Sequence, residues 1–149
     1  MIENNLTKAL IEKIKEVVKD FRMPVKDGER RCPTVLNGYL PPKRYDGTDE
    51  DYPFIVVRPD NGTSNRENTT MTVSIVVGCF TEDLNGFEDC IEVMTRIRAA
   101  LASMPNGILD NRYILQYPIT WDLLREQPYP QWQLNMETRW EYRTPECSF

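Results

Sequence analysis

The chain has 149 residues, of which 40% are hydrophobic and 28% charged, with a formal net charge of -5 and no histidine. This length and balance predict one folded domain, residues 1–149, and exclude wholesale disorder. The lack of histidine removes the commonest general base at neutral pH and the commonest metal ligand, so it excludes a serine or cysteine triad built on histidine.

The charge is unevenly distributed along the chain. Residues 1–44 carry ten Lys/Arg and six Asp/Glu, a net +4, whereas residues 45–149 carry eight Arg and seventeen Asp/Glu, a net -9. An acidic main body argues against nucleic-acid binding through phosphates, and the basic N-terminal stretch suits an acidic neighbour. No membrane span or signal peptide is recognisable, so we expect a soluble intracellular protein whose cysteines are free thiols: Cys32, Cys79, Cys90 and Cys147.

The chain begins with an amphipathic pattern. Apolar residues recur every three or four positions, which predicts a helix that Asn4 or Asn5 caps and Pro24 ends; they are Leu6, Leu10, Ile14, Val17, Val18 and Phe21. Residues 24–52 are rich in proline and glycine and predict a long irregular loop, of a length that is usually mobile or used in binding.

Two strands are predicted next, over 54–58 and 70–80. The second alternates strictly, with one apolar face formed by Met71, Val73, Ile75, Val77 and Cys79. The polar residues between the strands, 60–69, predict a loose hairpin tip. The alternation also predicts that Cys79, like Cys90 in the next element, lies in the core.

The second half repeats this order. A helix is predicted over 86–104, with Asn85 as its cap and a Pro105-Asn106-Gly107 stop. A strand over 113–124 contains Pro118, which predicts a bend or an edge position. After a turn over 127–130, Trp132, Leu134, Met136, Thr138 and Trp140 alternate with polar residues and predict the clearest strand.

These elements predict an α+β fold with long loops. Two helices pack on one face of a mainly antiparallel four-stranded sheet, in the order α-β-β-α-β-β.

Few residue groups suggest chemistry. The acidic tract Asp46, Asp49, Glu50 and Asp51 is the one cluster suited to a hard cation, but its spacing does not match an EF-hand and favours a solvated loop. Asp122 and Glu137 can face each other across the last hairpin, where exposed carboxylates are usually surface groups. We therefore expect no enzymatic activity, no metal and no cofactor.

The aromatic residues of the last hairpin have two interpretations. Trp132 and Trp140 either cover the core from one strand face or, with Tyr129, anchor a protein partner. Stacking on nucleic acid would need basic neighbours, and only Arg139 and Arg143 are near.

The order of elements resembles the tail terminator and tail completion (neck) proteins of long-tailed bacteriophages. The resemblance covers most of the chain and is carried by Tyr52-Pro53-Phe54-Ile55-Val56-Val57, by the strand over 70–80, by the helix over 87–104, and by the stretch from Trp121 through Tyr129-Pro130-Gln131-Trp132 to Trp140.

The resemblance implies a structural protein of the virion, made in the bacterial host cytoplasm and encoded by a phage or prophage. Such proteins close the tail tube as a hexameric ring, contact the tail tube protein and the head-tail connector protein, and let DNA pass without specific binding or membrane contact. Residues 37–52 and 60–69 would be variable loops of the ring that become ordered on assembly. The expected protein-interface residues are Tyr45, Tyr52, Arg66, Tyr129, Trp132 and Trp140.

Other interpretations stay open. The chain can be a different neck or head-tail joining protein, or a non-enzymatic adaptor that binds its partner as a monomer or dimer. An enzyme that works through carboxylates or a metal is disfavoured, because histidine is absent.

Overall fold

A computed structural model of the protein describes residues 2–25, 30–40, 52–127 and 129–145. The helices are α1 (Ile2–Val18) and α2 (Phe87–Ala102), and a short 3₁₀ turn (Pro105–Gly107) follows α2. The strands are β1 (Thr34–Asn37), β2 (Phe54–Ser64), β3 (Asn68–Phe80), β4 (Ile108–Leu109), β5 (Tyr113–Leu123) and β6 (Gln131–Arg143).

The strands form one mixed, curled sheet in the order β1-β2-β3-β6-β5-β4. β1 is parallel to β2, and every other neighbouring pair is antiparallel. The predicted four-stranded, mainly antiparallel sheet in the order α-β-β-α-β-β is therefore wrong. The prediction missed β1, which is four residues long and lies in a proline- and glycine-rich stretch, and β4, which has only two residues.

One face of the sheet carries the main core. Both helices pack on this face: α1 contacts β1 and β2, and α2 contacts β3 and β6. The alternation predicted for β6 is confirmed, since every second residue is buried: Trp132, Leu134, Met136, Thr138 and Trp140. Cys79 and Cys90 are core residues, as predicted.

The opposite face is also apolar where β2 and β3 begin and end. Tyr52, Phe54, Val56 and Phe80 form a second buried cluster there. Phe54 lies directly over Gly78, because a Cβ atom at Gly78 would fall 2.1 Å from the ring. The start of β2 and the end of β3 are thus covered on both faces, unlike a sheet with one solvated face.

Beyond this doubly covered region, β2 and β3 continue as an exposed arm, residues 59–69. Strand pairing reaches Ser64↔Thr69, so the predicted loose tip over 60–69 is wrong and the turn occupies only 65–67. Ser64 Oγ lies 2.8 Å from Thr69 Oγ1, which lies 2.9 Å from Thr144 Oγ1. These hydroxyl contacts hold the arm to the chain segment that follows β6.

The ends of several elements differ from the prediction. α1 already begins at Ile2, so Asn4 and Asn5 lie inside the helix and do not cap it. The residue before α2 is Gly86, which makes no side-chain cap, so the predicted Asn85 cap is wrong. The predicted irregular loop over 24–52 contains β1, and residues 26–29 and 41–51 lie outside the described ranges. Within those ranges, neither helix is long and apolar enough to cross a bilayer.

Candidate assembly surface

Tyr45 of the predicted interface lies outside the described residues, and Tyr52 lies inside the molecule. The Tyr52 side chain is buried, its ring centroid is 4.8 Å from that of Phe54, and its hydroxyl accepts a 2.6 Å hydrogen bond from Gln133 Nε2. Tyr52 therefore joins the second apolar cluster to β6.

Both predicted tryptophans also point inward. Trp140 is fully buried, and its Nε1 donates a 2.9 Å hydrogen bond to Thr138 Oγ1. Trp132 is 8% exposed, and its Nε1 donates a 3.0 Å hydrogen bond to the carbonyl oxygen of Thr81. Because a buried indole N–H is costly unless it finds an acceptor, these bonds fix each ring in place. Of the two interpretations, the structure places these rings in the core.

Arg66 and Tyr129 are the predicted interface residues that lie at the surface. Arg66 is in the turn of the exposed arm. Tyr129 is 52% exposed, yet its hydroxyl donates a 2.7 Å hydrogen bond to the carbonyl oxygen of Glu82 and its ring meets Trp132 edge-on. Arg66 and Tyr129 lie at opposite ends of the sheet, so they do not form one continuous patch.

The largest exposed apolar feature follows one strand. β4 pairs only with Tyr113 and Ile114, so the rest of β5 has no strand on its outer side among the described residues. We call residues 117–123 the β5 edge. Tyr117 is 63% exposed and Trp121 41%, and Leu124, which follows directly, is 45% exposed. Such an edge favours strand pairing or a protein contact.

Proline shapes the upper end of the β5 edge. The register of β5 with β6 shifts between Gln116 and Thr120, so a bulge that contains Pro118 separates the upper and lower parts of the strand. The sequence predicted a bend or an edge position at Pro118, and the structure has both. The sequence did not indicate that Trp121 would be exposed, since its neighbours on either side are polar.

The opposite end of the sheet is the second open edge. β1 is its last strand in the described chain, and we call Thr34–Asn37 the β1 edge. Next to it, Tyr39 is 71% exposed and lies under the Arg58 guanidinium, 4.5 Å from ring centroid to Cζ. Arg58 Nε also donates a 2.8 Å hydrogen bond to the carbonyl oxygen of Gly38, so the end of β1 is firmly held.

Two acidic candidates were weighed from the sequence. The tract at 46–51 lies outside the described residues, and within them no cluster of three or more His, Cys, Asp or Glu side chains is placed to hold a metal. Asp122 lies opposite Asn135 and Glu137 opposite Thr120, so these two carboxylates are not register partners across the hairpin.

A pocket of about 290 Å³ lies between the arm and the start of α1. Its lining includes Glu3, Met71 and Tyr142. The buried Tyr142 hydroxyl has no hydrogen-bond partner of acceptable geometry in the described chain. Burial, and then the nearby Glu3 carboxylate, raises the pKa of Tyr142, so this phenol stays neutral at physiological pH.

Cys79 and Cys90 form the one close pair of thiols among the described residues. Their sulfur atoms are 3.1 Å apart, and both side chains are completely buried between β3 and α2. Burial, followed by the contact with Cys90, raises the pKa of the Cys79 thiol well above its usual value. A neutral, buried thiol is a poor nucleophile, so this pair serves the core.

No family model matches the chain, and no curated protein matches it by sequence.

Proposed function

We propose that this chain is a non-catalytic structural protein of a bacteriophage virion, which closes the end of the tail tube as a ring and joins it to the head-side connector. The resemblance of its sequence to tail terminator and tail completion proteins suggests the role. The observation that carries the proposal is the β5 edge, where aromatic side chains stay exposed on the part of the strand that has no outer neighbour in the described chain.

A ring needs two different surfaces on each subunit, because each copy uses one surface to bind the next copy's other surface. The β5 edge and the β1 edge lie on opposite sides of the sheet, so in this proposal they supply two such surfaces. In this proposal the arm contacts the tube or the connector, since its side chains are exposed from Pro59 to Asn68. DNA passes through the ring without specific contacts.

The decisive experiment mixes the purified protein with tail tubes that lack a terminator. We expect negative-stain electron microscopy to show a cap at one end of each tube, and tubes assembled in its presence to stop growing. Arg66→Glu in the arm should weaken capping, whereas Arg98→Glu, the same charge reversal at an exposed position on α2, should not. Bare tube ends that continue to elongate would refute the proposal.

A monomeric adaptor is the competing function, and Tyr129 favours it. The phenol ring of Tyr129 is half-exposed and contacts Trp132 and the Glu82 carbonyl oxygen, as an interface anchor would. Sedimentation separates the two functions, because an adaptor stays monomeric or dimeric at concentrations where a terminator forms a larger closed ring.

A further inference from the structure

The direction of the outward backbone groups on the β5 edge follows from its pairing with β6. The Leu124 N–H donates to the carbonyl oxygen of Gln133, so these two residues form a hydrogen-bonded pair. In an antiparallel ladder the pairs alternate between hydrogen-bonded and non-bonded. Asp122 therefore points its backbone groups towards β6, and Trp121 and Leu123 point theirs away from the sheet.

The same reasoning applies to the β1 edge. The Thr34 N–H donates to the carbonyl oxygen of Pro53 and the Gly38 N–H donates to that of Val57, so alternate residues of β1 point towards β2. The residues between them, Val35 and Asn37, point their backbone groups outward. The carbonyl oxygen of Asn37 also accepts a hydrogen bond from the Tyr39 N–H, which leaves the Asn37 N–H and both Val35 groups facing away from β2.

The side chains on these four positions share one face of the sheet. Trp121 and Leu123 are register partners of Met136 and Leu134, which are core residues. Val35 and Asn37 are register partners of Ile55 and Val57, which belong to the same core. On both edges, then, the residues with outward backbone groups carry core-side side chains.

The strand directions are compatible as well. β1 is parallel to β2, and passing through β3 and β6 to β5 reverses the direction three times. β5 is therefore antiparallel to β1. When a second copy is placed beside the first with its sheet continuing in the same sense, its β1 edge meets the β5 edge as an antiparallel strand with the same face inward.

We propose that the β5 edge of one copy binds the β1 edge of a second copy, with Trp121 opposite Asn37 and Leu123 opposite Val35 of the second copy. The sheet then continues from copy to copy, and the exposed Trp121 ring is covered on the core side. This inference rests on the proposed ring, for which it names the subunit interface.

The charges favour this head-to-tail arrangement over pairing of two identical edges. The β5 edge is bordered by the exposed carboxylates of Asp122, Glu126 and Glu137, with Arg125 and Arg139 among them. In the sequence, residues 21–40 carry four basic side chains (Arg22, Lys26, Arg30 and Arg31) and two acidic ones (Asp27 and Glu29), a net +2. Two β5 edges would bring like charges together, whereas β5 against β1 brings opposite charges together.

Cross-linking of two proteins that each carry one exposed cysteine tests the interface. In a background with Cys32→Ser and Cys147→Ser, one protein carries Thr34→Cys and the other Leu124→Cys. Both positions are exposed and lie opposite each other in the proposed register. The remaining Cys79 and Cys90 are buried. A short bismaleimide should give a linked product in the mixture and none from either protein alone.

A matched pair of variants checks the role of the aromatic side chain. Trp121→Lys places a charge at the centre of the contact, and we expect the yield of linked product to fall by about tenfold or more. Leu84→Lys makes a similar change at a residue that is 77% exposed and belongs to neither edge, since it lies in the loop between β3 and α2. Its yield should equal that of the parent proteins.

Three results would overturn the interface. A linked dimer from the Leu124→Cys protein alone would show pairing of two β5 edges. Equal loss with Leu84→Lys and Trp121→Lys would show non-specific association. No mixed product at the highest soluble concentration would show that the edges do not meet. If the mixed product forms but tubes stay uncapped, the proposed tail function is refuted and the interface is supported. If tubes are capped but no mixed product forms, the tail function is supported and the interface is refuted.

Discussion

Gly78→Ala is expected to destabilise the protein, because the Phe54 ring occupies the space where the new methyl group would lie. An ideal Cβ at Gly78 falls 2.1 Å from Phe54 Cε2 and 2.3 Å from Cζ. Carbon atoms in contact normally lie about 3.5–4.0 Å apart, so the ring must move by roughly 1.4 Å or more. Tyr52 limits that movement, since its ring centroid is only 4.8 Å away.

Over-packing of this kind typically costs about 1–3 kcal/mol of unfolding free energy. In a protein of this size each kcal/mol lowers the melting temperature by about 2–4 °C, so we expect a decrease of about 2–12 °C. Urea titration followed by tryptophan fluorescence gives the free energy, and calorimetry gives the temperature. The m-value should be unchanged, because the fold stays the same.

A double-mutant cycle separates the proposed clash from a general effect of alanine in a strand. Phe54→Leu alone should destabilise the protein by removing ring contacts. Combined with Gly78→Ala, it should cost less than the sum of the single changes, with a coupling of about 0.5–3 kcal/mol. A neutral or stabilising Gly78→Ala, or costs that simply add, would refute the close approach of Phe54 to the backbone.

Three further predictions concern the interior. Thr138→Val removes the acceptor of the buried Trp140 N–H and should cost about 1–3 kcal/mol, whereas Thr138→Ser should cost clearly less, as measured by urea unfolding. Tyr142→Phe removes a buried hydroxyl that has no hydrogen-bond partner among the described residues, so it should leave stability at pH 7 unchanged or higher. The folded pKa of Tyr142 lies above the unfolded value of 10.0, so above pH 10 the unfolded state loses the phenolic proton more readily than the folded state. The free energy of unfolding of the wild type should therefore fall relative to that of Tyr142→Phe as the pH rises above 10, as measured by alkaline melts. A diazene oxidant, which is reduced to the hydrazine, should convert Cys79 and Cys90 to a disulfide only when the protein is partly unfolded, because both thiols are buried. Rapid disulfide formation in the native protein, detected by mass spectrometry, would contradict this.

Local alternation was sufficient to predict β6 and the inward face of β3, because a strand buried on one face leaves a period of two in the sequence. It was insufficient for β1, whose stability comes from pairing with β2 rather than from its own four residues. The outer half of β2 is polar throughout, so no hydrophobic period marked it as a strand, although its backbone pairs with β3 as far as Ser64.

The exposure of the tryptophans in the candidate site also could not be predicted from the local sequence pattern. Trp140 lies on a central strand and is fully buried, while Trp121 lies on β5 and is 41% exposed. The difference depends on which strands have neighbours on both sides. β4 covers only two residues of β5, and that is a long-range fact without a signal near Trp121. The sequence therefore predicted the edge position at Pro118, but the tryptophans that it predicted as interface residues, Trp132 and Trp140, are buried.

The short length of the two edges determines how a ring would assemble. The three outward backbone groups left on β1 allow about three backbone hydrogen bonds between copies, worth roughly 1.5–4.5 kcal/mol in net terms. Association itself costs about 4–15 kcal/mol, so a single contact with its one covered tryptophan leaves a dimer weak. Closing the ring adds one more contact without a further loss of translational freedom. We therefore expect a direct change from monomer to closed ring as concentration rises, with little dimer between them, and a sedimentation series dominated by stable dimer would contradict the proposed geometry.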